Sequence, residues 1–124
     1  MEFLDSHAHL TSADVLPQID AILARAKEAG VKRILNICTD PETLRQGLLL
    51  KERYPFIENA GSTTPHDVAK EGESAFEVFA DAARNKKIVA VGETGLDYHY
   101  EHSPKEMQKQ FLVRMIWLPV MEID

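Results

Sequence analysis

Four short runs rich in aliphatic and β-branched residues recur along the chain, each followed by a longer stretch whose apolar residues fall at helical spacing. The runs begin about thirty residues apart, too far for hairpins and right for parallel strands joined by crossover helices. The implied order is βαβαβαβα, a parallel sheet with right-handed crossovers. Two architectures satisfy it: half of a TIM barrel, or a small doubly wound sheet. A chain of 124 residues holds at most one such domain, taken here as residues 1–124.

The first run is brief, Phe3-Leu4. From Asp14 to Ala29, Leu16, Ile19, Ile22, Leu23 and Ala26 line one helical face, and Gly30 supplies the stop. Val31 to Cys38 reads as the second strand. Asp40 followed by Pro41 starts a helix that should reach about Arg53, before Tyr54-Pro55. Phe56 to Ala60 is the third strand, and polar residues from Gly61 to Gly72 read as a loop. Ser74 and Glu77 suit a capping box for a helix with Phe76, Phe79, Ala80 and Ala83 on its buried face. Lys87 to Gly92 is the fourth strand. Ser103, Pro104 and Glu106 then match N-cap, N1 and N3 of a last helix that buries Met107, Phe111, Met115 and Leu118.

With 44% hydrophobic and 27% charged residues the chain is neither disordered nor fibrous. A formal net charge of −6 argues against gripping nucleic acid by charge alone, although divalent cations would reverse the field of a small site. The one cysteine, Cys38, excludes an internal disulfide and sits in an apolar run, as a buried thiol does. No apolar stretch is long enough for a membrane span, and the N-terminus has no basic region, so the expected location is the cytoplasm.

Asp5-Ser6-His7-Ala8-His9 follows the first run directly. In extended chain, positions i, i+2 and i+4 point the same way, so Asp5, His7 and His9 share a face. Two imidazoles at that spacing can bind one metal ion, at the strand end where parallel βα folds bind ligands. An isolated H-x-H is a frequent accident. A second motif, Gly92-Glu93-Thr94-Gly95-Leu96-Asp97, stands at the equivalent point after the fourth strand. A carboxylate directly after an apolar strand has no packing role, and there it can face His7 and His9. The alternatives are a surface glutamate in a turn and two incidental loop histidines. A looser metal-buffering surface of His7, His9, His66 and His102 has spacings that fit no closed structural site.

Phe3-Leu4-Asp5-Ser6-His7-Ala8-His9-Leu10 and Val91-Gly92-Glu93-Thr94-Gly95-Leu96-Asp97-Tyr98 resemble the opening and middle signatures of the TatD family of metal-dependent hydrolases. Ala29 to Ile34, Tyr54-Pro55, Ser103-Pro104 and Gln108 also stand in family-like positions, so the resemblance runs to about Arg114. It implies a TIM barrel of the amidohydrolase type, truncated here after about four βα units. The implied activity is hydrolysis of phosphodiester bonds through metal-activated water, deoxyribonuclease-like, with DNA or another phosphoester as substrate. His7, His9 and Glu93 would be metal ligands, with Glu93 also catalytic and bridging two divalent ions, whether Zn, Mn, Mg or Co. Asp5 would support the histidines from behind.

The chain departs from the family pattern in three places. Thr64 precedes Pro65 where the family carries histidine, leaving His66, and with it His99, as candidate substrate contacts. Two further histidines and an aspartate of the family site belong to later strands. In the tail, Leu118-Pro119-Val120 resembles the run into a fifth strand, but Ile123 stands where a histidine should follow. Trp117 has no assigned role. The competing functional reading is an inactive truncated fragment that keeps part of the metal site. Open sheet edges also suggest self-association.

Overall fold

The computed structural model describes residues 1–118; the tail positions from Pro119 to Ile123 discussed above lie outside the described residues. Strands β1 (Phe3–Ala8), β2 (Val31–Cys38), β3 (Ile57–Gly61) and β4 (Ala90–Val91) alternate with helices α1 (Ile19–Glu28), α2 (Pro41–Arg53), α3 (Val68–Arg84) and α4 (Lys105–Ile116). All three strand pairings are parallel and the sheet order is β1-β2-β3-β4. A doubly wound sheet reverses its order at a switch point, whereas a barrel adds each strand beside the previous one. The sequential order therefore decides for the half barrel.

Local chemistry explains most boundaries. Gly30 has φ +95, and a Cβ there would lie 2.5 Å from the Met1 carbonyl oxygen, so α1 stops at a residue only glycine can supply. α2 is closed by a reciprocal box: the Thr43 N–H donates to Asp40 Oδ1 (2.7 Å), and the Asp40 N–H donates to Thr43 Oγ1 (3.1 Å).

Other boundaries differ from the sequence reading. β1 is six residues long and takes in Asp5 to Ala8, so His7 lies within the strand, not after it. Pro17 cannot donate to the preceding turn, and Leu16–Gln18 form a 3₁₀ turn that delays α1 to Ile19. α3 has a first turn from Val68, inside the expected loop, then breaks at Gly72 (φ 62, ψ −153), so its longer second segment starts just after Gly72, beside the expected start at Ser74. β4 pairs over two residues only, Ala90 with Ala60 and Val91 with Gly61, at the C-terminal end of β3. The cap of α4 is Pro104, with no side-chain capping bond, because the Ser103 hydroxyl is engaged elsewhere.

The core lies between sheet and helices in two clusters. Leu10, Ile19, Leu23, Ile34, Leu50 and Ile57 pack α1 and α2 on β2 and β3. Phe76, Phe79, Ala80 and Ala83 of α3 join Phe111 and Met115 of α4 around Cys38 and Ile88. Fully burying a Leu, Ile or Phe side chain is worth about 1.5–3 kcal/mol, so these stripes carry the fold. Burial pushes the Cys38 thiol up to about 12, with Asp40 adding to the shift, which fits a packed thiol and not a nucleophile.

Between sheet and α2 lies a buried polar network. Asn36 and its register partner Asn59 are both fully buried. Asn36 Nδ2 donates to Asn59 Oδ1 (2.9 Å), and Asn59 Nδ2 donates to the Gly47 carbonyl (2.9 Å). Asn36 Oδ1 accepts the Leu10 N–H (2.8 Å), pinning the chain one residue beyond His9. The network fixes where the H-x-H segment leaves the sheet.

Candidate metal centre

His7 and His9 come from the end of β1, where the register with β2 shifts. Asp5 pairs with Ile34 and Ala8 with Asn36, so three steps on β1 match two on β2. Such a bulge re-aims side chains, here beside the loop that follows β4. Glu93 stands two residues beyond β4, after a cis Gly92–Glu93 peptide bond, and the Gly92 N–H still donates to the Gly61 carbonyl (3.3 Å).

These elements bring the three predicted ligands together. His7 Nε2 lies 3.0 Å and His9 Nε2 3.4 Å from the same oxygen, Oε2 of Glu93. One donor atom from each residue falls within 4.8 Å of the others. Donors about 2.1 Å from one ion, at angles between octahedral and tetrahedral, sit roughly 3.0–3.4 Å apart. The two separations from Glu93 Oε2 therefore match those between ligands of one divalent cation. The His7, His9 and Glu93 side chains are 53%, 45% and 43% exposed, which leaves the outer side free for further ligands, as an open catalytic site requires and a closed structural one does not. Exposed ion pairs contribute little to stability, so folding alone gives no reason to set two imidazoles on one carboxylate.

The loop carrying Glu93 is braced from α4. Gln108 is buried; its Oε1 accepts the Asp97 N–H (2.8 Å), and its Nε2 donates to the Asp97 (3.1 Å) and Ser103 (2.8 Å) carbonyls. Ser103 Oγ in turn donates to the His66 carbonyl and accepts the Ala69 N–H, each at 3.1 Å. The loops after β3 and β4 are thereby one unit. The sequence held a signal for Gln108: it shares a helical face with Phe111 and Met115, where a polar residue is conspicuous.

The other predicted site residues lie elsewhere. The Asp5 carboxylate accepts the backbone N–H of His7 (3.0 Å) and so supports the segment through the main chain. His66 pairs with Asp97 (Nε2 to Oδ2, 3.2 Å) and is not part of the three-ligand group. The His99 N–H donates to Asp97 Oδ1 (3.0 Å), and its ring meets Tyr100 edge-on. The Tyr100 N–H, the His99 N–H and the neighbouring His66 and His99 rings hold the Asp97 carboxyl below the usual carboxylate range, against the opposing effect of burial. At the departure from the family pattern, Thr64 Oγ1 donates to Asp67 Oδ2 (2.7 Å) and closes a turn.

A parallel half barrel with H-x-H at the end of β1 and a facing glutamate after β4 defines the metal-dependent hydrolase class of barrel. The chain belongs to the family described as TatD related DNase, whose family model matches residues 4–120. It is 33% identical over 114 residues to the uncharacterized metal-dependent hydrolase YabD of Bacillus subtilis, covering 92% of this chain and 45% of that protein. With the 3'-5' ssDNA/RNA exonuclease TatD of Salmonella typhimurium it shares 31% identity over 112 residues, 90% of this chain and 43% of that one. The crystal structure of YjjV, a TatD homolog from Escherichia coli K12, superposes with a TM-score of 0.84 at 30% identity, over 94% of this chain and 46% of that chain. The chain thus spans less than half the length of the curated relatives it matches. No helix among the described residues is long and apolar enough to cross a membrane.

Proposed function

We propose that the chain supplies the H-x-H and bridging-glutamate portion of a metal centre that hydrolyses phosphodiester bonds, with single-stranded DNA or RNA as substrate. The observation that carries this reading is the convergence of two imidazole nitrogens on one glutamate oxygen at ligand–ligand distances. The names of the relatives supply the substrate class. His7 and His9 would hold one cation through Nε2, together with Oε2 of Glu93. Glu93 would be the ligand common to that ion and a second one. Imidazole and carboxylate donors accept Zn, Mn, Co or Mg, in differing degree. A bound cation supplies Lewis acidity toward phosphoryl oxygen and lowers the pKa of coordinated water. His66 and His99, exposed in the adjoining loops, would face the substrate.

The test is metal-dependent cleavage of an end-labelled single-stranded oligonucleotide by the 124-residue chain. Cleavage that needs the added ion and disappears in Glu93→Gln supports the proposal; undiminished cleavage in that variant refutes the role of Glu93. Metal binding without turnover would support the second reading, a ligand-holding segment with no catalysis of its own.

Among the described residues β1 and β4 have no strand on their outer sides, and with exposed Leu4 (65%) and Ile116 (67%) this supports self-association of the chain. Sedimentation as a folded monomer would count against it.

A further inference from the structure

At the same end of the sheet as the candidate metal centre lies a group of rings that its ligand set does not use. Tyr100 and His102 stand nearly parallel, 10° between planes and 5.8 Å between centroids. The His66 ring lies 4.9 Å from that of His102 and 6.3 Å from that of Tyr100, and His99 meets Tyr100 edge-on at 4.5 Å. These residues belong to the loops after β3 and β4, at the same end of the sheet as His7, His9 and Glu93. We propose that Tyr100 and His102, buttressed by His66 and His99, form a ledge on which an unpaired nucleobase of a single-stranded substrate stacks. The inference rests on the nucleic-acid reading above and adds the residues that would hold the strand.

Packing does not account for the ledge. Tyr100 is 66% exposed, and His66, His99 and His102 are exposed as well. Folding gains little from rings left in water, whereas a base gains by covering them. Glu101 at φ 47 lies between Tyr100 and His102, a turn of the backbone that accompanies their nearly parallel rings.

Charge selects the face of a base over a phosphate. The Asp97 carboxylate pairs with His66, and Glu101 pairs with Lys105 (3.4 Å), whose ammonium also lies 5.0 Å from the Tyr98 ring centroid. Each potential cation in these pairs stands against a carboxylate, so the pairs provide no cationic surplus for the backbone of a nucleic acid. Recognition through π faces alone tolerates any base, and single-strand binders use such stacking. The ledge is also held in place before binding: Gln108 fixes Asp97, Asp97 Oδ1 accepts the His99 and Tyr100 N–H groups, and Ser103 ties in the His66 loop.

The test is fluorescence anisotropy of a labelled single-stranded oligonucleotide, and of an abasic oligomer of equal length, with the full chain in chelator so that no cleavage intervenes. Tyr100→Ala should weaken binding of the normal oligomer about tenfold or more, Tyr100→Phe should stay within roughly twofold, and the abasic oligomer should bind the unaltered protein as poorly as the normal oligomer binds Tyr100→Ala. His102→Ala should weaken binding in the same direction. Equal binding of normal and abasic strands, an unaffected Tyr100→Ala variant, or no binding by the unaltered protein overturns the ledge. Failure of the hydrolase reading shows separately, as absence of metal-dependent cleavage with base-dependent binding intact.

Discussion

Alanine at position 47 should destabilise this protein although the position lies in the middle of α2, where alanine normally favours a helix over glycine by roughly 0.8–1.0 kcal/mol. A Cβ on Gly47 would lie 2.4 Å from Asn59 Oδ1 and 2.9 Å from Asn36 Nδ2. These atoms are the two ends of a buried hydrogen bond, and neither asparagine has an exposed route of escape. Either the Asn59 carboxamide turns away and breaks its bonds to Asn36 and Gly47, or α2 lifts from the sheet. A buried polar group left without a partner costs about 1–3 kcal/mol, and overpacking costs a similar amount. Turning Asn59 away strands at least two such groups, about 2–6 kcal/mol in all, so against the propensity gain the net loss should be roughly 1–5 kcal/mol. Urea unfolding followed by circular dichroism measures it. Combining Gly47→Ala with Asn59→Ala should cost less than the sum of the single changes, because the methyl group occupies vacated space. Since Asn36 also holds the Leu10 N–H, the single variant should weaken metal binding as well. A Gly47→Ala protein as stable as the parent, or more so, refutes the close-approach argument.

Two further outcomes follow from buried groups. Gln108→Leu removes three hydrogen bonds from the loop that carries Glu93, so unfolding free energy should fall by about 2–4 kcal/mol and metal affinity should fall with it; unchanged metal affinity would show that the brace does not reach the site. For Cys38, the native thiol keeps its proton to about 12 while the unfolded thiol loses it near the ordinary value of 9.0. Between those values the native state binds more protons, so this thiol makes stability fall as pH rises, by up to about 1.4 kcal/mol per pH unit, and Cys38→Ala should make the measured slope shallower by that contribution. A thiol reagent should correspondingly react only on unfolding.

The fold was legible where hydrophobic periodicity was uninterrupted. Phe76, Phe79, Ala80 and Ala83 showed the buried face of α3, and Asp40-Pro41 showed the start of α2. β1 looked shorter than it is because Asp5, Ser6 and His7 are polar and exposed; their place in the strand comes from pairing with β2, not from composition. β4 looked longer than it is, since an apolar run shows burial tendency but not how many of its residues pair with a neighbouring strand. Ser103 had every local mark of a cap, yet tertiary contact with the His66 loop claimed its hydroxyl. At the site, H-x-H and Glu93 were visible as paired motifs at strand ends. The pairing of His66 with Asp97 and the Asn36–Asn59–Gly47 network depend on contacts across the chain, which no local window displays.

Calorimetric titration of metal-free protein with Mn²⁺ and Zn²⁺, beside the His7→Ala, His9→Ala double variant and Glu93→Gln, tests the metal centre most directly. The geometry predicts saturable binding by the unaltered chain, weakened at least about a hundredfold in the double variant and clearly reduced in Glu93→Gln. No binding by the unaltered chain, or binding indifferent to His7, His9 and Glu93, would contradict it.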